Sequence, residues 1–130
     1  MHGHDTCAFL WGKVNYRGIT LRLKLEGRFV VAIEKQMNLF WENRFLYEPK
    51  DLRVKYVDPN NSKNRTYWPD FYDVGRKIVY EIKHVGRAYT PLQDAKQAAF
   101  ELEHPDKHYV LLTEREVSLL EKEADGVTHG

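Results

Sequence analysis

The sequence predicts an α/β domain built around a mixed sheet, on three observations. Apolar residues recur at helical spacing over roughly 24–40, short strand-like runs separated by turn residues follow, and a helix, a strand and a second helix complete the order. Residues 1–15 have weak periodicity and are expected to be a tail or a short strand, with 16–130 a single domain. In the first helix Leu25, Phe29, Ile33, Gln36/Met37 and Phe40 share one face. "FLYEP" and "LRVKYV" read as strands, the second alternating Leu52, Val54 and Tyr56 against Arg53 and Lys55. "DPNNSKN" is turn chemistry, and Tyr67 to Lys83 reads as a hairpin turning at Gly75-Arg76. The spacing then predicts a helix over 91–104, opened by Pro91, whose missing N–H does no harm there. "HYVLLT" reads as a short buried strand, and Thr113 with Glu116 forms a capping box for the final helix, "EREVSLLEKEA".

At 130 residues, 42% apolar and 30% charged, the chain has the composition of one soluble globular domain, not of a disordered, collagenous or coiled-coil protein. No apolar run approaches the ~20 residues of a membrane span, and "MHGHDTCAFLW" lacks the basic start and apolar core of a signal peptide. Cys7 is the single cysteine, so no disulfide framework is expected and a cytoplasmic location is the natural expectation. Net charge is +1, but its distribution is uneven. Lys13, Arg17, Arg22, Lys24 and Arg28 face the single acid Glu26 over 11–28, whereas "TEREVSLLEKEADG" is acidic. This leaves two readings open, a phosphate-attracting face or a scattered solvated surface.

The stretch "YWPDFYDVGRKIVYEIK" sets acids among apolar and aromatic residues. A two-residue turn at Gly75-Arg76 pairs Val74 with Lys77 and therefore Asp70 with Glu81, on one face with Cβ atoms about 5 Å apart. Strand alternation adds Lys83 to that face and sends Ile78, Tyr80 and Ile82 to the other as core. Two carboxylates so close repel unless a cation or proton lies between them. Oxygen ligands on rigid strands suit Mg²⁺ or Mn²⁺, and a neighbouring lysine can orient an attacking water. Ordinary salt bridges on an exposed strand remain the competing reading.

Pro69-Asp70 followed by Glu81-Ile82-Lys83 resembles the PD-(D/E)XK nuclease signature. Upstream, "YRGITLRLKLEGRF" resembles the helix-opening segment of phage-type nucleases in that superfamily, which makes Glu26 the matching active-site glutamate. A serine common three residues before it is Leu23 here. Downstream, "QDAKQAAFELEHPDKHYVLLT" resembles the region after the motif in the phage endonuclease I type of Holliday-junction resolvase, including Lys96 and His104-Pro105. The resemblance spans about Tyr16 to Thr113 and implies a restriction-endonuclease-like core, a mixed β-sheet flanked by helices. It also implies a Mg²⁺-dependent (or Mn²⁺-dependent) DNA endonuclease. Asp70, Glu81, Glu26 and the Ile82 carbonyl would be metal ligands and Lys83 the residue that positions water. The implied substrate is branched duplex DNA such as a four-way junction, cut by a homodimer in a host cytoplasm. A phage DNA-end or head-completion type of nuclease is the alternative, and a non-catalytic DNA-binding subunit of the same fold is another.

Arg17, Arg22, Lys24, Lys63, Arg65, Arg87 and Lys96 are candidates for phosphate contacts, since backbone binding needs several cations along one track. His84 follows the motif, but alternation aims it away from the acids, so it reads as packing. His2, His4 and Cys7 have a spacing that suits a soft metal, though a tail is the simpler reading. Tyr67, Trp68, Phe71 and Tyr72 are core by default, with stacking on exposed bases the alternative.

Overall fold

The computed structural model describes residues 14–16, 19–21 and 24–126. They form two compact units, one within residues 1–41 and 114–130 and the other over 42–113. Both are mixed in secondary structure, so the molecule is α/β as expected.

The 42–113 unit is built on a four-stranded mixed sheet. Its strands are β3 (Phe45–Tyr47), β6 (Phe71–Asp73), β7 (Ile78–Ile82) and β8 (His108–Leu112), side by side in the order β3-β6-β7-β8. The first three are antiparallel, and β8 runs parallel to β7. A parallel pair needs a crossover. The connection carries α2 (Val85–Ala88) and α3 (Pro91–Glu103). Thr90 caps α3, its hydroxyl accepting from the Gln93 N–H at 3.1 Å, and Pro91 occupies the first turn. Inserted between β3 and β6 is a separate hairpin, β4 (Val54–Val57) and β5 (Asn64–Tyr67). Its burial alternates as read, with Val54 and Tyr56 inside and Lys55 and Val57 outside.

One face of the sheet packs under α3 and this hairpin. Leu52, Val54, Tyr56, Tyr67, Val79 and Phe100 form the core there, with Tyr72, Leu92 and Tyr109 at its margin. The other face carries Phe45, Phe71, Tyr80, Ile82 and Leu112, all buried. Strand β7 is therefore covered on both faces, as expected of a strand with a parallel neighbour. Tyr80 and Ile82 supply core as expected, Ile78 is half-buried, and Val79, on the face of Glu81, is buried too.

The β6–β7 hairpin has the expected register, with Phe71 opposite Tyr80 and Asp73 opposite Ile78, but not the expected turn. Four residues, Val74–Lys77, make the loop. Lys77 takes the left-handed conformation (φ 57°) and donates its N–H to the Asp73 carbonyl at 2.8 Å. Gly75 serves a different purpose. A Cβ there would stand 3.1 Å from the Arg44 guanidinium, which lies over the turn and pairs with Asp73.

The other unit contains the short hairpin β1 (Val14–Tyr16) and β2 (Ile19–Leu21), helix α1 (Lys24–Met37) and helix α4 (Glu114–Gly126). Helix α1 stops at Met37 and not at Phe40, because Asn38 adopts the left-handed conformation (φ 53°) that ends helices. Leu25, Phe29, Val30 and Ile33 form its buried face. The acids of α4 meet α1: Arg28 binds Glu121 at 2.6 Å, Lys35 binds Asp125 at 2.8 Å, and Gln36 reaches Glu123 at 3.0 Å. The acidic tail and part of the basic segment thus answer one another within this unit. Among the described residues, no helix is long and apolar enough to cross a membrane.

Candidate active site

The register of β6 and β7, carried one residue beyond Phe71–Tyr80, sets Asp70 opposite Glu81 at the open end of the hairpin. Both acids are buried, at 3% and 2% exposure. That removes the solvated-strand reading, since a carboxylate withdrawn from water must be met by donors or opposite charge. Asp70 is held through both its backbone and its side chain. Its Oδ2 accepts from the Ile82 N–H at 2.7 Å, and its carbonyl accepts from the Glu48 N–H at 2.8 Å. Glu48, at the end of β3, has a positive φ of 47° and stands next to Asp70 in register.

Glu81 is held through its side chain. Its Oε1 accepts from the Tyr67 hydroxyl at 2.6 Å, and its Oε2 lies 3.4 Å from Lys83 Nζ. Lys83 sits one residue past β7, where its N–H continues the ladder to the Leu112 carbonyl at 3.0 Å. Behind Tyr67, its hydroxyl is 2.8 Å from that of Tyr109, which receives the Gln93 amide N–H at 2.7 Å. Burial raises the Tyr67 phenol far above its ordinary pKa, and the Glu81 charge raises it further; Tyr109 shifts the same way for the same causes. Both hydroxyls therefore stay protonated. Lys96 crosses the face of the Tyr67 ring at 5.5 Å from its centroid, a cation–π contact.

Within this unit the structure brings together Asp70, Glu81, Ile82 and Lys83, and it sets Lys96 over a ring that touches Glu81. Glu26 is on the first turn of α1, in the other unit, and is buried at 1% exposure where an unconstrained helix residue would be solvated. Arg65 is exposed, and its Nε binds Asp58 at 2.8 Å. The hydrogen bond from the Asn60 N–H, with a smaller contribution from that arginine, holds the Asp58 carboxyl below its ordinary pKa. Lys63 and Arg87 are exposed, as is Lys24 on the other unit. Arg17, Arg22, His2, His4 and Cys7 lie outside the described residues. His84 is exposed at the start of α2, which corrects its reading as a packed residue, because the chain leaves the sheet after Lys83 and strand alternation no longer applies. Trp68, read as core by default, is 42% exposed beside the motif.

A hard cation fits this donor set. Mg²⁺ keeps several waters and is held through one or two carboxylates on rigid elements, which is what Asp70 and Glu81 offer, with the Ile82 carbonyl between the motif residues. Among the described residues no group of three or more His, Cys, Asp and Glu side chains gathers as a full protein cage would. Sequence reasoning missed Gln93 and Tyr109. Their signal becomes legible only with the parallel register. Tyr109 pairs with Val79 and Leu111 with Glu81, so Tyr109 shares the face of the acid. Gln93 precedes Lys96 by one helical turn. The chain gives no significant match to protein-family models, to curated proteins or to solved structures.

Proposed function

We propose that this protein is a divalent-metal-dependent DNA endonuclease with a restriction-endonuclease-like core. The observation that carries the reading is the pair of buried carboxylates, Asp70 and Glu81, at one end of a rigid hairpin, with Lys83 at 3.4 Å from Glu81. Two acids and a lysine arranged in this way, on the residues that resemble the PD-(D/E)XK signature, suit phosphodiester hydrolysis. Asp70, Glu81 and the Ile82 carbonyl would hold a divalent cation, which would supply Lewis-acid polarisation of the scissile phosphate. Lys83 orients the water for in-line attack on phosphorus and offsets the charge growing on the phosphate oxygens. The 3′ oxygen departs and a 5′ phosphate remains. By resemblance Glu26 matches an active-site glutamate, and it belongs to the other unit. Exposed Arg87 and Lys63 are the candidates for holding the flanking backbone, and Lys96 acts closer in, beside Tyr67.

Branched DNA is the proposed substrate and a homodimer the proposed form, since a junction must be cut on two strands symmetrically. The test uses an end-labelled four-way junction and a linear duplex of matched sequence, each with Mg²⁺ and with EDTA. Paired cuts near the branch point, only with metal, are expected. Equal cutting of both substrates removes the junction preference and keeps the centre. Binding without any cutting removes the enzyme and leaves a DNA-binding subunit.

A further inference from the structure

The hydrogen bonds behind Glu81 have only one consistent direction when its carboxylate is ionised. Tyr67 has a single hydroxyl proton, and the 2.6 Å contact gives it to Glu81 Oε1. The 2.8 Å contact between the two phenols still needs a proton, which Tyr109 must supply. Tyr109 can then only accept from Gln93, which fixes the amide with its NH₂ towards the phenol at 2.7 Å. Every proton in the chain points towards one oxygen of one carboxylate, and bonds aligned in this way polarise one another. The chain starts at Gln93, a buried side chain on the residue whose backbone N–H the Thr90 cap receives, and among the described residues the Gln93 Oε1 is buried with no hydrogen-bond partner. For core packing alone this is a poor arrangement. It buries one phenol and an amide, half-buries a second phenol and leaves an acceptor unmet, where a leucine and two phenylalanines would fill the same space without that cost.

We infer that Gln93, Tyr109 and Tyr67 are positioning residues which pin Glu81 by Oε1, so that only Oε2, on the Lys83 side, is presented to a divalent cation. The inference rests on the reading of Asp70 and Glu81 as a cation site. Partners behind a metal ligand fix its orientation, and losing them typically weakens metal affinity 10–100-fold. Lys96, lying across the Tyr67 ring, braces the same phenol from the helix that supplies Gln93.

The experiment titrates the full chain with Mn²⁺ alone, by calorimetry, and reads thermal stability with and without the ion. The proteins are wild type, Glu81→Gln, Tyr67→Phe, Tyr109→Phe and Gln93→Met. Wild type should bind and Glu81→Gln should lose binding. Tyr67→Phe should weaken Mn²⁺ about 10–100-fold, with Tyr109→Phe and Gln93→Met weakening it progressively less, in the order of their distance along the chain. A role confined to packing predicts lower thermal stability in these variants with Mn²⁺ affinity within about twofold of wild type, and that outcome overturns the inference while leaving the cation site in place. If wild type itself gives neither heat nor stabilisation, the cation site falls and the inference falls with it. Should Tyr67→Phe fail to fold, the other two variants decide between the same outcomes.

Discussion

The two ends of the β6–β7 hairpin each bury an aspartate and treat it differently. At the turn, Asp73 is fully buried and receives a guanidinium directly, with Arg44 Nε 2.8 Å from Oδ1 and Arg76 Nε 3.9 Å from Oδ2. At the open end, Asp70 is met by a backbone N–H, and its neighbour Glu81 by a phenol and a lysine. The Arg44 guanidinium neutralises Asp73 through Oδ1, and Oδ2 has the charge of Arg76 nearby but, among the described residues, no hydrogen bond. The Ile82 N–H and the Tyr67 hydroxyl are neutral donors that orient the two carboxylates without cancelling their charge, and Lys83 adds an ammonium beside Glu81. The first arrangement suits holding a turn together, the second suits a site.

Substitutions should separate the two ends. Asp70→Asn keeps an oxygen for the Ile82 N–H but removes the charge, and Lys83→Ala removes the ammonium beside Glu81. Each should lower cleavage by at least about 10²-fold, with unfolding free energy within about 1 kcal/mol of wild type. Unchanged cleavage by either variant, in a nicking assay paired with urea unfolding, would sink the site. Asp73→Ala should do the reverse. It strands a partly buried arginine and should cost about 3 kcal/mol, the low end for a broken buried pair because Arg44 keeps some access to water, with cleavage per folded molecule unchanged. Loss of cleavage without loss of stability would make the contrast between the ends meaningless.

Smaller effects come from farther away. Thr90→Ala removes the α3 cap and should cost about 1 kcal/mol by chemical unfolding. The Arg28–Glu121 pair between α1 and α4 is half exposed and should be worth about 0.5 kcal/mol in low salt, less in high salt. Its hydrogen bond from Arg28 holds the Glu121 carboxyl below the ordinary value. The folded-state pKa is thus depressed, so the contribution is present at neutral pH and lost as pH falls through that depressed value. Arg28→Ala and wild type should therefore converge in stability under acid. A gap that persists there would assign the effect to packing of the arginine stem.

Much of the scaffold was legible because its signals are local. The alternation of Leu52, Val54 and Tyr56, the apolar face of α1, and Pro91 at the start of α3 each state their own structure. The pairing of Asp70 with Glu81 was also legible, although for a partly mistaken reason. The loop is four residues, not two, yet it preserves the register, because Asp73 and Ile78 still close the ladder. What could not be read depended on non-local pairing. Burial on both faces of β7 is one such feature: α3 packs over the Val79 face, and the helix does not announce that contact in sequence. The same applies to Tyr109 and Gln93, which are ordinary polar residues until the register brings them behind Glu81. His84 was misread because alternation was extended past the residue where the strand ends.

The topology also imposes an order of events on a growing chain. Every strand of the β3-β6-β7-β8 sheet has been made once Leu112 is synthesised, and β7, which carries Glu81, lacks its outer neighbour until then. Helix α1, made early, has its partner α4 encoded only after Thr113. Helix α1 is therefore made well before the helix that neutralises its arginine and lysine. A ribosome stalled between the two would hold an α1 whose Arg28 and Lys35 still lack their α4 partners, a stage at which incompletely paired segments are exposed to chaperones.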